Sequence, residues 1–188
     1  MGRVRAYLAM SLDGFVAGER DDLSWLERRT AGAAPVAVGP WSEGPDGDPL
    51  GFDDFLAGVG CILMGRRTFD IVTSFADWPY GDTPMLVATH RPLTGSRAGV
   101  SAAAGGIEAL VASAQATAGD ADVYVDGAAT VRSALVAGVL DHLVATMVPT
   151  VLGRGTSLFA GLSERRELTV EKVARFGEGF IQVHLAAR

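Results

Sequence analysis

The residues best suited to bind an anion are Arg66, Arg67 and Thr68, which directly follow a glycine. The uninterrupted apolar run at residues 61–64 predicts a strand buried on both faces, and Gly65 ends it. Helical spacing of the apolar residues that follow places both arginines and Thr68 at a helix N-terminus. Free N–H groups, guanidinium groups and a hydroxyl favour phosphate there, so we predict a phosphate-binding strand–turn–helix. The alternative is an ordinary turn with two solvated arginines.

Two other turns carry groups of the same kind. Residues 122–125 predict another buried strand, and the small side chains of Gly127 and Ala128 permit a diphosphate to approach the start of the next helix. Thr89, His90 and Arg91 follow a predicted strand at residues 83–88, which makes them a further candidate phosphate contact. Three anion-binding segments in one domain suit a highly phosphorylated dinucleotide.

Two carboxylates are candidates for catalysis. Asp13 follows the predicted first strand, residues 4–10, in a loop with an Asp-Gly turn signal. It could orient a substrate or a cofactor amide, or it could only make the turn. Asp53 and Asp54 lie in a short helical patch at residues 52–57, just before the central strand. They could project toward the carboxyl end of that strand, or they could be first-turn carboxylates that the helix dipole favours.

Composition narrows the classes of function. The chain has 188 residues, 48% of them hydrophobic and 20% charged, which predicts one globular domain. Its formal net charge of −6 argues against nucleic-acid binding, because phosphate backbones need a basic face. No apolar run is long enough to span a membrane, and the N-terminus lacks the apolar core of a signal peptide. We therefore expect a cytoplasmic protein that binds a small molecule, with no nucleic-acid or membrane partner.

The cysteine and histidines exclude two further classes of site. Cys61 is the only cysteine, which rules out a disulfide scaffold or a cysteine metal cluster and predicts an inert core thiol. The three histidines, His90, His142 and His184, are far apart and form no metal-ligand spacing. No metal site is predicted.

The coarse pattern of elements predicts a mixed sheet with helices on its faces. Apolar strands alternate with helices through residue 149, and residues 167–174 and 180–185 form an antiparallel hairpin signature. Between residues 32 and 51 the chain is rich in Gly, Pro, Ala and Asp and contains Trp41. We predict that this segment is a mobile flap. Trp25, just before it, is expected to be a core anchor or a pocket wall.

Four motifs, in this order, resemble the dihydrofolate reductase-like superfamily. They are MSLDG at 10–14, MGRRTF at 64–69, VYVDGAAT at 123–130 and PTVLGRGTSLF at 149–159. Within that superfamily the chain is most similar to the reductase domain of the bifunctional riboflavin-biosynthesis deaminase-reductase and its stand-alone relatives. The resemblance covers nearly the whole chain. It implies one domain over residues 1–188 with an α/β three-layer fold: a mixed, mostly parallel eight-stranded sheet, flanking helices and a C-terminal β-hairpin.

The resemblance also implies a cofactor, NADPH, and the residues that bind it. By this resemblance, the cofactor's phosphates are bound by Gly65, Arg66, Arg67 and Thr68. The adenosine ribose and its 2′-phosphate lie near Thr89, His90 and Arg91. The diphosphate segment comprises Asp126, Gly127, Ala128, Ala129 and Thr130, and the nicotinamide end is lined by Ala9, Met10 and Asp13. This sequence departs from the family at Ala128, where a second glycine is usual. Members of the family often form homodimers.

The expected activity is an NADPH-dependent reduction within riboflavin biosynthesis. A hydride would pass to a small polar heterocycle or its ring-opened sugar, as in reduction of 5-amino-6-(5-phosphoribosylamino)uracil, with Asp13 and Asp53 as candidates to assist protonation. Dihydrofolate reductase activity is one alternative. Asp22, in the DLSWL segment, resembles the local context of the acid that such enzymes use, but it lies early in the chain. The other alternative is a nucleotide-binding protein without catalysis.

Overall fold

The fold was analysed in a computed structural model, which describes residues 2–26, 48–93, 97–177 and 179–187. The part of the predicted flap at residues 32–47, with Trp41, lies outside the described residues.

Ten strands, four α-helices and a short helical stretch at residues 24–26 lie within the described residues. The strands are β1 Val4–Ser11, β2 Phe15–Ala17, β3 Val59–Gly65, β4 Met85–Ala88, β5 Val100–Ala103, β6 Asp122–Asp126, β7 His142–Val148, β8 Thr156–Ser157, β9 Thr169–Phe176 and β10 Phe180–Ala186. The helices are α1 Phe52–Leu56, α2 Arg66–Val72, α3 Ile107–Ala118 and α4 Ala128–Val136, and a 3-10 turn covers Glu19–Asp21.

Eight of the strands form one sheet in the order β5-β4-β3-β6-β1-β7-β10-β9. The pairings from β5 to β7 are all parallel, whereas β10 runs antiparallel to both of its neighbours. This confirms the predicted mixed sheet with its C-terminal hairpin. Strands β2 and β8 pair separately, and these short strands and β5 were not predicted. The β5 sequence VSAA is too small and too exposed to give a strand pattern.

The helices cover both faces of the sheet, which makes three layers. On one face α3 and α4 pack through residues such as Leu110 and Val131 against Leu63 and Val125. Cys61 is fully buried on this face, and burial raises the pKa of its thiol to about 11, so it is an inert core residue. Burial of these apolar side chains is the main stabilising contribution to the fold.

The opposite face carries α1, α2 and an aromatic cluster, which we define as Tyr7, Phe52, Phe55, Tyr80 and Tyr124. The Phe55 ring lies 5.0 Å from the rings of both Tyr7 and Tyr124, tilted at 41° to the first and edge-on at 85° to the second. Farther along this face Trp25 packs, 5% exposed, against Val148 and Phe180, which confirms the core-anchor prediction.

Gln182, on β10, links the segment around residue 50 to the sheet by hydrogen bonds. Its Oε1 accepts the Leu50 N–H at 2.7 Å, and its Nε2 donates to the Leu50 carbonyl at 3.1 Å. Nε2 also lies 3.3 Å from the Thr146 hydroxyl, and His184 Nε2 lies 3.0 Å from Oε1. Gln182 is completely buried and provides the partner of the Leu50 N–H, the Thr146 hydroxyl and His184 Nε2, whereas the Leu50 carbonyl also accepts from the Tyr7 hydroxyl at 2.9 Å.

Replacing Gln182 by Ala is expected to lower the free energy of unfolding by about 1–3 kcal/mol, because it leaves buried polar groups unpaired. Urea denaturation measures this. The matched control is Gln115→Ala on α3, which is expected to change stability by less than about 0.5 kcal/mol. Equal effects of the two substitutions would contradict the assigned role of Gln182.

Candidate functional site

The carboxyl ends of three central parallel strands meet at a cleft of about 420 Å³. Strand β1 contributes Ala9, and the adjacent strands β3 and β6 end at Gly65 and Asp126. Each of the latter two leads through a glycine into a helix, so α2 and α4 both begin at the cleft. The carboxyl edge of a parallel sheet is the usual place for a ligand in such folds.

The two strand–turn–helix units pack into each other. A Cβ atom on Gly127 would collide with the Thr68 hydroxyl, and one on Gly65 would lie only 3.0 Å from the Thr130 hydroxyl. Gly127 also has φ +88°, in the region that favours glycine. The glycines therefore let α2 and α4 start side by side. The Thr68 side chain fills part of the space beside Gly127 in which a diphosphate is predicted to lie.

Neither helix has a side-chain cap at its N-terminus. The first N–H groups of a helix have no partner within the helix, so the starts of α2 and α4 both offer donors at the cleft. Ala128, Ala129 and Thr130 line it at the start of α4. Ala128, which stands where the family usually has glycine, is 7% exposed and packs into the core beneath α4.

Arg66 and Arg67 line the cleft, and each already has a carboxylate partner. Arg66 Nε donates to Asp70 at 2.7 Å, and its Nη1 donates to the Pro92 carbonyl at 3.1 Å. Arg67 Nε and Nη2 lie 2.8 to 3.1 Å from the carboxylate oxygens of Asp21. The Arg67 side chain is 70% exposed and that of Arg66 is 21% exposed, so Arg67 fits the alternative of a solvated arginine as well as that of a phosphate contact, and the phosphate assignment stays a prediction.

Asp126 lies on the floor of the cleft and is held by two donors. The Tyr80 hydroxyl donates to Oδ2 at 2.6 Å, and the Gly127 N–H donates to Oδ1 at 2.7 Å. Burial raises the pKa of the Asp126 carboxyl, and the two donors only partly oppose that shift. Burial and the nearby Asp126 charge also raise the pKa of Tyr80, which keeps its hydroxyl a donor.

Thr89, His90 and Arg91 follow β4 next to the start of α2. The Thr89 hydroxyl accepts the Arg91 N–H at 3.0 Å, which shapes a tight turn, and Arg66 contacts Pro92 at its end. His90 and Arg91 are exposed. The turn is adjacent to the cleft but does not line it, so its assignment to an adenosine phosphate stays a prediction.

Asp13 lies outside the cleft lining and joins two loops. Its Oδ1 accepts from the Ser11 hydroxyl at 2.6 Å and from the Leu152 N–H at 3.1 Å, and its Oδ2 accepts the Gly153 N–H at 2.7 Å. The Ser11 hydroxyl first, and these N–H groups with it, lower the pKa of Asp13 to about 2. Asp13 does not line the cleft and stays ionised down to low pH, so the geometry supports a positioning role rather than proton donation.

The other predicted residues at the catalytic end are separated in the structure. Asp53 is exposed in the first turn of α1 and does not line the cleft, which agrees with the helix-dipole alternative. Ala9 lines the cleft, whereas the neighbouring Met10 packs partly against the core on the α3 and α4 side. Residues alternate along a strand, so Ala9 and Met10 face opposite sides of the sheet.

Several residues that line the cleft or, like Tyr80, contact its lining were not recognised from the sequence as parts of the site. Asp21 lies opposite α2, Tyr80 reaches Asp126 from the β4 side, and an apolar wall comes from two separate segments. That wall consists of Leu23, Leu26, Ile71 and Phe75. The DLSWL segment gave a signal for the first two, but nothing in the local sequence marks Asp21 or Tyr80.

The described residues contain neither a metal-ligand cluster nor a membrane-spanning helix. Within 2–26, 48–93, 97–177 and 179–187, no group of three His, Cys, Asp or Glu side chains is arranged to hold a metal ion. Over the same residues, no helix is long and apolar enough to cross a membrane.

Asp13→Ala is expected to remove an acid-dependent part of the stability. The pKa of Asp13 is about 2 in the folded protein and about 4 in an unfolded chain. Its contribution is therefore fully present above pH 4 and is lost as the pH falls toward 2. Thermal unfolding from pH 5 to pH 2 measures the difference between the two proteins, with exposed Asp77→Ala as control. A difference that stays constant over this range would contradict the assigned pKa.

Known proteins with related sequences support the architecture. A family model described as the RibD C-terminal domain matches residues 81–182, just over half of the chain. The uncharacterized protein YwjB of Bacillus subtilis (strain 168) is 28% identical over 179 residues, which cover 95% of this chain and 94% of that protein. The uncharacterized protein YyaP of the same organism is 24% identical over 195 residues, which cover 96% of this chain and 93% of that protein.

Solved structures have the same fold. A protein from Shewanella sp. PV-4 that is named for riboflavin biosynthesis matches with a TM-score of 0.78 and 28% identity, over 99% of this chain and 98% of that one. A deaminase/5-amino-6-(5-phosphoribosylamino)uracil reductase of Thermotoga maritima matches with a TM-score of 0.64 and 16% identity, over 98% of this chain and 56% of that one. The chain thus has the dihydrofolate reductase-like fold and belongs to the RibD C-terminal domain family, that of the riboflavin-biosynthesis reductase domain.

Proposed function

We propose that this protein is an NADPH-dependent reductase of a pyrimidine-type heterocycle, such as 5-amino-6-(5-phosphoribosylamino)uracil. The observation that carries the proposal is the pair of interlocked helix starts, Gly65 into α2 and Gly127 into α4, at one cleft. Membership of the RibD C-terminal domain family supports a reductase. The reductase named in the Thermotoga maritima protein supports this substrate class.

The donor set at the cleft fits a dinucleotide diphosphate. The uncapped starts of α2 and α4 provide N–H donors, and Arg66 and Arg67 provide cationic forks that suit phosphate. In the proposed complex these groups hold the diphosphate, and the adjacent turn with Arg91 holds the adenosine 2′-phosphate. Ala9 and Ala128 add little bulk to the floor and side of the cleft, which leaves room for a planar ring.

NADPH, when bound, supplies the hydride from its nicotinamide ring. The protein contributes orientation and exclusion of water. The apolar wall of Leu23, Leu26, Ile71 and Phe75 gives a heterocycle an apolar surface to lie against, opposite the polar floor at Asp126. A site of this kind, mostly apolar with a few convergent polar groups, is typical of small-molecule binding.

Asp126 is the group that we assign to hold the proton for the substrate. A carboxyl group donates a proton only while it is protonated, and burial raises the pKa of this one, which favours the protonated form. The Tyr80 hydroxyl, 2.6 Å away, stabilises the carboxylate that remains after donation. This assignment replaces Asp13 and Asp53 as proton donors, because neither of them lines the cleft.

One alternative function has an observation in its favour. A nucleotide-binding protein without catalysis would bind its ligand at the starts of α2 and α4 and would not require a catalytic acid. Asp13 and Asp53, the two acids predicted from the sequence, both lie outside the described cleft lining. Turnover separates this alternative from the reductase. For dihydrofolate reduction the predicted acid, Asp53, is an exposed side chain, so no observation favours that activity.

NADPH is expected to bind the purified protein more tightly than NADH, and Arg67→Ala is expected to weaken NADPH binding about ten- to hundredfold. The reason is the loss of charge-assisted hydrogen bonds to phosphate, each worth about 1.5–3 kcal/mol. Titration followed by nicotinamide fluorescence measures the dissociation constants. The matched control is Arg165→Ala, which removes an 85% exposed arginine that also pairs with a carboxylate. Failure of the wild-type protein to bind NADPH would refute the proposal.

Asp126→Asn is expected to lower the turnover rate by about a hundredfold or more, the usual range for loss of a general acid. In the wild-type protein the rate falls as the pH rises through the pKa of Asp126, because the donor is then deprotonated. The variant lacks this pH dependence. Turnover of 5-amino-6-(5-phosphoribosylamino)uracil, followed as NADPH oxidation from pH 5 to pH 9, measures both effects, with exposed Asp82→Asn as control.

The pH dependence of protein stability provides an independent test of the raised pKa of the Asp126 carboxyl. Because the folded-state pKa of Asp126 is raised, its contribution to stability is present below about pH 4 and is lost as the pH rises through the folded-state pKa. The Asn variant has no such loss and is expected to be at least as stable as wild type at neutral pH. A variant that is catalytically normal would show that Asp126 does not supply the proton.

A further inference from the structure

The ion pair between Arg67 and Asp21 joins two separate elements across the cleft. Asp21 ends the turn Glu19–Asp21 that follows β2, and Arg67 lies in the first turn of α2. Arg67 Nε lies 2.9 and 3.1 Å from the two Asp21 oxygens, and its Nη2 lies 2.8 Å from Oδ1. Both residues line the cleft. The carboxylate thus presents two oxygens to the guanidinium, in the same forked geometry that a phosphate would use.

The turn that carries Asp21 has an uncommon backbone. Arg20 and Asp21 have φ values of +57° and +64°, a region that residues other than glycine rarely adopt. The Asp22 carbonyl accepts the Gly18 N–H at 2.8 Å, which closes the loop around them. Contacts from elsewhere in the molecule must hold two such residues, and the bond to Arg67 is one of them. Release of Arg67 would therefore loosen this turn.

The neighbouring arginine makes a different kind of pair. Arg66 bonds to Asp70, four residues later on the same helix, and Asp70 does not line the cleft. A ligand that binds Arg66 can leave the Arg66–Asp70 pair in place, because both residues of the pair lie on the surface of α2. A ligand phosphate that takes the Nε/Nη2 edge of Arg67 must displace Asp21, which already occupies that edge.

We propose that Asp21 determines the affinity of the cleft for anions by holding Arg67 in the free protein and giving it up to the phosphate of the ligand. This inference rests on the proposed function, which makes the cleft a phosphate site. Ligand binding then exchanges the Asp21 carboxylate for the ligand's phosphate at Arg67. This exchange lowers the affinity of the cleft for the phosphate, and it couples ligand binding to the conformation of Glu19–Asp21.

Asp21→Asn tests the exchange, because asparagine tolerates positive φ and keeps the size of the side chain but removes the charge. Inorganic pyrophosphate and NADPH are the probes, in calorimetric titrations of the full chain. We expect both to bind about two- to fivefold more tightly to the variant, the effect of losing one exposed ion pair. In an Arg67→Ala background the same substitution is expected to have no effect, because the competition no longer exists.

The matched control is Glu167→Gln, which removes one charge and an exposed pair with Arg165 away from the cleft. It is expected to leave both affinities unchanged. Thermal unfolding of each variant verifies that it is folded. Hydrogen exchange provides a second measurement: pyrophosphate is expected to speed exchange of the Asp22 N–H, which donates to the Glu19 carbonyl at 3.3 Å and closes the turn.

The outcomes separate this inference from the proposed function. NADPH binding that is unchanged or weakened in Asp21→Asn overturns the inference alone, because Asp21 would then be neutral or a clamp over the ligand. Tighter pyrophosphate binding in the variant, with no NADPH binding in either protein, supports the inference and refutes the reductase. No binding of either probe to either protein overturns both.

Discussion

The close approach of α2 and α4 at their first turns is the constraint on which the site depends. The Thr68 hydroxyl occupies the space where Gly127 lacks a side chain, and Thr130 lies against Gly65 in the same way. This reciprocal packing is possible because β3 and β6 are adjacent parallel strands that end at the same edge. Two positive helix ends then face one cleft, and an anion is the ligand that this arrangement favours.

The cleft balances these positive groups with carboxylates that come from other elements. Asp126 lies at the end of β6 beneath the helix starts, and Asp21 pairs with Arg67 from the turn after β2. Their environments differ. Asp126 lines the cleft and is held by Tyr80, and desolvation raises its pKa, whereas Asp21 pairs with Arg67, whose side chain is 70% exposed. The first suits a group that holds a proton, and the second suits a group that exchanges partners.

Positioning of the cleft wall depends on contacts far from the proposed chemistry. Asp13 connects the loop after β1 to the backbone at residues 152 and 153, and a Cβ on Gly155 would collide with the Ala17 carbonyl. Both contacts bring β2 and β8 together, and the cleft residues Ala17 and Thr156 lie on that pair. Asp13, which the sequence suggested as a catalytic acid, therefore helps to position the cleft wall.

The sequence by itself determined the layered architecture and the two strand–turn–helix units at residues 61–72 and 122–136, because both are local patterns. Apolar runs mark the buried strands, and the residues that open α2 and α4 follow those strands directly in the chain. It did not determine which side chains meet. Tyr80 and Asp126 are 46 residues apart, as are Asp21 and Arg67, and only the parallel pairing of the strands and the packing of the loops bring each pair together. For the same reason, the exposed positions of Asp13 and Asp53 became apparent only in the folded chain. Direction and distance across a sheet are tertiary properties, and no local pattern of residues contains them.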